Sequence, residues 1–282
     1  MRTIVLVGAT SGLGRLAAQR LCAAGHRMVL IGRDPARAAS LARELPTATV
    51  ITADVATATG VAQAAGQVAD AVDRIDTLVN NAGVMTPERR ETAEGMELNF
   101  AVHHLAPYSM TSHLLPLLLA GDGRVVNVNS EGHRAPLRGS GPVTLDFDDL
   151  QSRRAYDPFL VYSRTKLANL LFTYELLRRH PSLTVAAVHP GMVRTDLGRD
   201  FPLAIRILGN AMAGSAASGA EPVARLASDA SVTAGAYYNR LTPVASSPAS
   251  YDRAAAERLW TETVKLRGPF GAGHQGPFQQ PE

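Results

Sequence analysis

Short, nearly continuous apolar runs alternate with longer stretches of helical periodicity from the first residues of the chain onward. The runs Thr3–Val7, Arg27–Ile31, Thr49–Ala53, Thr77–Asn80, Arg124–Val128 and Thr184–Val188 are rich in Val, Ile, Leu and Ala, as strands buried on both faces should be. The segments between them carry helix punctuation. Gly25 is placed to end the first helix, and Asp34-Pro35 offers an N-cap followed by proline at the first helical position of the second. Strand–helix alternation predicts right-handed crossovers and an α/β fold: a doubly wound, Rossmann-type parallel sheet with helices on both faces. No internal repeat or linker divides the chain, so residues 1–267 read as a single domain.

Three stretches break the alternation. Residues 131–158 form a long loop between a strand and a helix, with Gly139, Gly141, Pro142 and the acidic run Asp146-Phe147-Asp148-Asp149, and read as a substrate loop. Residues 192–219 are rich in Gly, Ala and Ser with apolar Phe201, Leu203, Ile205, Ile207 and Leu208, and read as a lid. Residues 268–282, rich in Gly, Pro and Gln, read as a flexible tail.

Composition narrows the class. The 282 residues suffice for one large domain with a substantial core, and 46% hydrophobic with 19% charged residues is ordinary for a globular protein. The formal charge is +3, and the arginines are scattered without a basic, aromatic-interleaved run, which speaks against nucleic-acid binding. The one cysteine, Cys22, lies among apolar helix residues and reads as core. Thr3–Val7 is too short for a signal peptide, and no run approaches the roughly 20 apolar residues of a membrane span. A cytoplasmic location is expected.

Two sites carry chemistry. Gly8-Ala9-Thr10-Ser11-Gly12-Leu13-Gly14 follows the first strand and opens a helix, where glycine permits a tight turn and the helix N-terminus favours a pyrophosphate. A turn that merely joins strand to helix is the plainer reading of such glycines. The second strand ends Arg33-Asp34: arginine suits a 2′-phosphate and an acidic residue suits ribose hydroxyls, while Asp34 also serves as a helix cap. Arg33 is therefore assigned to the phosphate, which favours NADP over NAD. Far along the chain, Tyr162 and Lys166 stand one helical turn apart on one face, where the ammonium can pull the phenol from its usual value of about 10 towards working pH.

Together these residues resemble the classical short-chain dehydrogenase/reductases, nearest the retinol-dehydrogenase-like and WW-oxidoreductase-like branch. The resemblance runs from Thr3 to about Gly198. It rests on the three-glycine loop, Ala53-Asp54-Val55, Asn80-Asn81-Ala82-Gly83, Val126-Asn127-Val128-Asn129-Ser130, Tyr162 with Lys166, and His189-Pro190-Gly191 leading to Thr195. It implies that Gly8, Thr10, Ser11, Gly12, Leu13 and Gly14 hold the dinucleotide, and that Asp54 beside Val55 contacts the adenine. Asn81, Ala82 and Gly83 would line the adenosine ribose. Ser130 would hydrogen-bond the substrate oxygen, and Tyr162 would exchange its proton. Lys166 would bind the nicotinamide ribose, with Pro190, Gly191, Val193 and Thr195 around the nicotinamide.

One position departs from the family pattern. Similar members read Phe-Ala-Val-Asn where this chain has Phe100-Ala101-Val102-His103, so His103 stands in place of an asparagine that supports a water-mediated proton relay. Three readings stay open: His103 takes over the relay, Asn99 one turn earlier substitutes in an irregular helix, or the relay is weakened. Asn129 also stands where the family usually has a serine. The apolar helices at 105–119 and 162–179 suggest a homodimer, with burial beneath the chain's own C-terminal segment as the alternative.

The expectation is an NADP-dependent oxidoreductase interconverting an alcohol and a ketone or aldehyde on a medium-sized lipophilic substrate, acting as a reductase through Tyr162, Lys166 and Ser130. The rival readings are a non-catalytic NADP sensor or scaffold, and a redox-neutral epimerase or dehydratase. No metal is expected.

Overall fold

The computed structural model describes residues 1–136, 141–193, 196–198, 200–203, 214–229 and 231–271. Strand β1 (Thr3–Val7) lies between β2 (Arg27–Gly32) and β4 (Thr77–Asn80). With β3 (Thr49–Thr52), β5 (Arg124–Val128), β6 (Thr184–His189), β7 (Tyr237–Asn239) and β8 (Thr242–Val244), the sheet order is β3-β2-β1-β4-β5-β6-β7-β8. All pairings are parallel except the last, β7 with β8. The order reverses between β1 and β4, which opens a crevice at their carboxyl ends.

The expected doubly wound sheet is present. β1, β4 and β5 have the predicted bounds, and β2, β3 and β6 differ by one residue at their ends. β7 and β8 went unpredicted. Each is three residues long, and β7 owes its place to pairing with β6 rather than to any apolar run of its own.

Side chains alternate across the sheet and feed two cores. From β1, Ile4 and Leu6 enter the layer holding α1 (Gly12–Ala23), α2 (Pro35–Glu44) and α7 (Ala216–Ser228). Val5 and Val7 enter the opposite layer, with α3 (Ala58–Ala71), α5 (Ala106–Ala120) and α6 (Pro158–Arg179). Asp34 caps α2 by accepting from the Arg37 amide at 3.0 Å, so its plainer role is realised.

Helix α6 is buried along nearly its whole length, and its cover comes from its own chain. Helix α8 (Arg253–Arg267) packs on it, with Trp260 stacked on Phe172 and in edge contact with Tyr108 of α5. Phe270 then closes over Tyr108 and Trp260, the Tyr108 hydroxyl donates to the Gly268 carbonyl, and the Gly271 amide donates to Ser112 Oγ. The first residues of the expected flexible tail are therefore docked; residues 272–282 lie outside the described residues. The apolar faces that suggested subunit pairing are covered within one chain.

Part of the long loop before α6 is packed into the core. Val143, Leu145, Phe147 and Leu150 pack with Phe100, Leu105, Leu167, Leu171, Ala256 and Leu259, so this part of residues 131–158 belongs to the core. Among the described residues no helix is long and apolar enough to cross a membrane.

Candidate active site

At the end of β1 the chain turns through Gly8 at φ +83°, and the Gly8 and Ala9 amides both donate to the Ile31 carbonyl. A Cβ on Gly14 would lie 2.0 Å from the Gly8 carbonyl oxygen and 2.5 Å from Asn81 Nδ2, so only glycine lets α1 approach this closely. Asn81 Nδ2 in turn donates to that same carbonyl at 2.8 Å, tying the loop after β4 to the glycine loop. Ser11 stands at the N-cap of α1 without a side-chain cap bond, and the first turn holds no acidic residue. Its amides face the crevice region with the positive end of the helix dipole. Leu13 packs beneath, against Val193 and the backbone of Gly219.

Thr10 explains a glycine that the sequence did not single out. A Cβ on Gly32 would lie 2.1 Å from Thr10 Cγ2, so the bare backbone at the end of β2 makes room for the loop. Arg33 follows, exposed at the rim. After β3, Asp54 is exposed and its Oδ1 accepts from the Ala56 amide, with Val55 half-buried between them. Asn81 and Ala82 are half-buried and Gly83 is exposed after β4. After β6 come buried Pro190, Gly191 at φ +92°, and Val193; Thr195 lies outside the described residues.

Ser130, Tyr162 and Lys166 meet beyond the ends of β4 and β5. The Gly132 amide donates to Ser130 Oγ at 3.1 Å, which leaves the hydroxyl proton to point elsewhere. Lys166 Nζ donates to the Val128 carbonyl at 3.1 Å and lies 5.7 Å from the centre of the Tyr162 ring. Burial pushes the Tyr162 phenol up to about 12, against a smaller downward pull from the Ser130 hydroxyl. Burial brings the Lys166 ammonium down to about 7. The spacing of the pair is as read from the sequence, but the phenol is raised rather than lowered, because desolvation outweighs the hydrogen bond from Ser130.

Lys166 carries a stability consequence with a definite sign. Between its folded value of about 7 and the ordinary 10.5, the unfolded chain holds a proton that the folded chain lacks, so stability rises with pH. The cofactor-free protein is expected to melt at a higher temperature at about pH 9 than at about pH 7, and Lys166→Met to flatten that rise. Thermal melts of both proteins check this; an unchanged slope in the variant would contradict it.

His103 sits inside a π turn, Ala101–Leu105, that joins α4 (Leu98–Phe100) to α5. Its Nε2 accepts from the Val84 amide at 3.1 Å. Its Nδ1 lies 2.9 Å from Thr165 Oγ1, whose own proton goes to the Tyr162 carbonyl. The imidazole is therefore the Nδ1–H tautomer with both nitrogens engaged. Burial, with Lys166 adding to it, pushes its pKa well below the ordinary histidine value. The ring meets the Tyr162 ring edge-on at 5.4 Å. Asn99 is held elsewhere: its Nδ2 donates to Glu97, Thr86 and Tyr156.

An apolar wall surrounds the Tyr162 phenol. Met85 and Phe201 form one cluster with the tyrosine, and Phe159 and Leu197 pack against it. Asp200 beside Phe201 pairs with Arg90 Nη1 at 2.7 Å. Sequence reasoning placed Phe201 on a lid but missed Met85, Phe159 and Thr165, because nothing in their local pattern marks them.

Comparison with known proteins places the chain in a family. The family described as short chain dehydrogenase matches residues 2–141. Human retinol dehydrogenase 13 is 32% identical over 95% of this chain and 85% of its own length. A candidate daunorubicin C-13 ketoreductase of Streptomyces sp. (strain C5) is 35% identical over 95% of this chain and 93% of its own. A crystal structure of an uncharacterized protein from Mycobacterium paratuberculosis superposes with a TM-score of 0.76 at 31% identity, covering 95% of this chain and 93% of that one. With its reversed sheet order, glycine loop and Ser130–Tyr162–Lys166 site, this chain belongs to the short-chain dehydrogenase/reductase family of nicotinamide-dependent oxidoreductases, in the retinol-dehydrogenase-like branch.

Proposed function

We propose that this chain is an NADP-dependent reductase of lipophilic ketones or aldehydes, with Tyr162 as proton donor and Ser130 and Lys166 beside it. The observation that carries the reading is a buried, neutral phenol with a serine hydroxyl and an amine around it and an apolar wall of Met85, Phe159, Leu197 and Phe201.

The residues present fit the dinucleotide. The Gly8–Gly14 loop is a cradle that a Cβ would fill, the uncapped first turn of α1 offers amides, and Arg33 is an exposed cation at the end of β2. Such groups suit a pyrophosphate and a 2′-phosphate. Asp54, Val55, Asn81, Ala82 and Gly83 would take the adenosine side. Lys166, Pro190, Gly191, Val193 and Thr195 would take the nicotinamide side. When bound, the cofactor supplies the hydride.

The chain's own residues do the rest. As a carbonyl is reduced, negative charge develops on its oxygen, and hydroxyl donors aimed there stabilise it. With its Oγ accepting from the Gly132 amide, Ser130 has its proton available for that oxygen. Tyr162, held protonated at neutral pH by burial, gives up its proton to it. That protonation state suits the proton-donor role that reduction requires. Lys166 replenishes the site as an amine whose pKa near 7 lets it hold or release a proton at working pH. His103 orients Tyr162 and the loop at Val84 rather than shuttling protons, since both ring nitrogens are occupied. Relatives named for retinol and for daunorubicin ketoreduction act, by those names, on an alcohol and a ketone.

Arg33→Ala is expected to weaken NADPH binding by about 10- to 100-fold, the worth of a charge-assisted contact, and to leave NADH binding nearly unchanged. Fluorescence titration with both nucleotides checks it; equal losses would remove Arg33 from the 2′-phosphate. The reading as a whole is tested by steady-state rates with NADPH over ketones and aldehydes of increasing apolar size. Rates that rise with apolar size and fall in Phe201→Ala support it; tight NADPH binding without turnover of any carbonyl would favour a sensor.

A further inference from the structure

His103 and Asn129, read in the sequence as departures from the resemblance, are joined through a third residue. Buried amides must find partners at both ends, and Asn129, Asn169 and His103 are each at most 3% exposed. Asn129 Oδ1 accepts from the Ser130 amide at 2.7 Å. Its Nδ2 donates to the Lys166 carbonyl at 2.9 Å and to Asn169 Oδ1 at 2.8 Å. Asn169 Nδ2 then donates to the His103 carbonyl, inside the π turn, at 2.9 Å. Each amide has one orientation that satisfies all of these contacts. One side chain thus touches the serine segment and the catalytic helix, and reaches the π turn through a single intermediary.

We propose that Asn129 and Asn169 form a two-amide strap that positions Ser130 and Lys166 relative to the turn carrying His103. A serine at 129 has one oxygen on a short stem. It can meet the Ser130 amide but cannot span to Lys166 and Asn169 together. The strap makes Asn129 the complement of His103: the imidazole holds α6 at Thr165, and the amides hold it at Lys166 and Asn169 within the next turn. Both are positioning residues, since the polar atoms of each side chain are all taken by protein partners.

The strap itself is independent of the reductase reading; its effect on turnover rests on that reading. With asparagine selectively labelled with nitrogen-15, the side-chain amide protons of Asn129 and Asn169 are expected to be protected from hydrogen exchange in the wild-type protein, and Asn129→Ser to release those of Asn169. In the same variant kcat should fall about tenfold at nearly constant KM and NADPH affinity, with the kcat–pH profile displaced, as expected of misplaced reacting groups. Asn169→Ser should have a similar effect, and the double variant should be no worse than either single one because the two amides act as a unit. Unprotected Asn169 amide protons in the wild type would overturn the strap. A kcat and pH profile untouched by Asn129→Ser, or fully multiplicative losses in the double variant, would overturn its positioning role. If the wild-type protein reduces no carbonyl at all, the exchange measurement still decides the strap and the failure belongs to the functional reading.

Discussion

Tyr162→Phe is expected to lower kcat for carbonyl reduction by about 10²- to 10⁴-fold, the usual worth of a positioned general acid, while NADPH still binds. The substitution keeps the ring that meets His103 edge-on and packs with Met85 and Phe201. It removes only the hydroxyl, which burial holds protonated and beside Ser130. Folding should survive, because the phenol is the one polar atom lost and the apolar wall around it accepts a phenylalanine. Steady-state kinetics with a fluorescence titration of NADPH separates the two effects. Activity retained within a small factor would remove Tyr162 as the proton donor.

Gly14→Ala is expected to abolish measurable NADPH binding and to lower thermal stability. The added methyl would sit 2.0 Å from the Gly8 carbonyl oxygen and 2.5 Å from Asn81 Nδ2, two atoms that are hydrogen-bonded to each other. One contact is to the backbone of the glycine loop and the other to the Asn81 side chain tied to it, so relief requires the loop to open or α1 to move off β1. Overpacking of this kind costs on the order of 1–3 kcal/mol before any loss of ligand contacts. Gly66→Ala is the control. That glycine is exposed within α3 with nothing within 4 Å of the added atom, so alanine there should stabilise by up to about 1 kcal/mol with binding unchanged. Parallel melts and titrations of the two variants check the contrast; equal behaviour would mean that the glycine loop tolerates a side chain and is not a close cradle.

Much of this architecture was legible because burial on both faces writes a continuous apolar run into the sequence. Thr3–Val7 and Thr77–Asn80 are readable as strands without any partner, and the glycine loop between strand and helix follows from them. Tyr237–Asn239 was not, since three residues with two tyrosines carry no periodicity and become a strand only against β6. The greasy helices at 105–119 and 162–179 show the limit most plainly. Composition reports that a face is covered but not by what, and here Trp260 and Phe270 of the same chain do the covering.

The site divides in the same way. Ser130, Tyr162 and Lys166 were marked by spacing and by family resemblance. Their protonation was not, because spacing names the neighbours of a phenol but not the desolvation that outweighs them. His103 was visible as a departure, yet its role depended on partners from two distant segments, the Val84 amide and Thr165. Asn169 gave no local signal at all. It matters because of what stands opposite it, just beyond β5 and in the π turn.

The central claim is that hydride passes between a bound nicotinamide and a carbonyl held at Tyr162. The most direct test is transfer of deuterium from 4-deuterated NADPH to a lipophilic ketone in a single turnover, read by mass spectrometry of the alcohol, with wild-type protein and Tyr162→Phe. The account predicts a deuterium on the carbinol carbon with the wild-type protein and almost none with the variant. NADPH bound at the site with no label in any product, or equal labelling by both proteins, would contradict it.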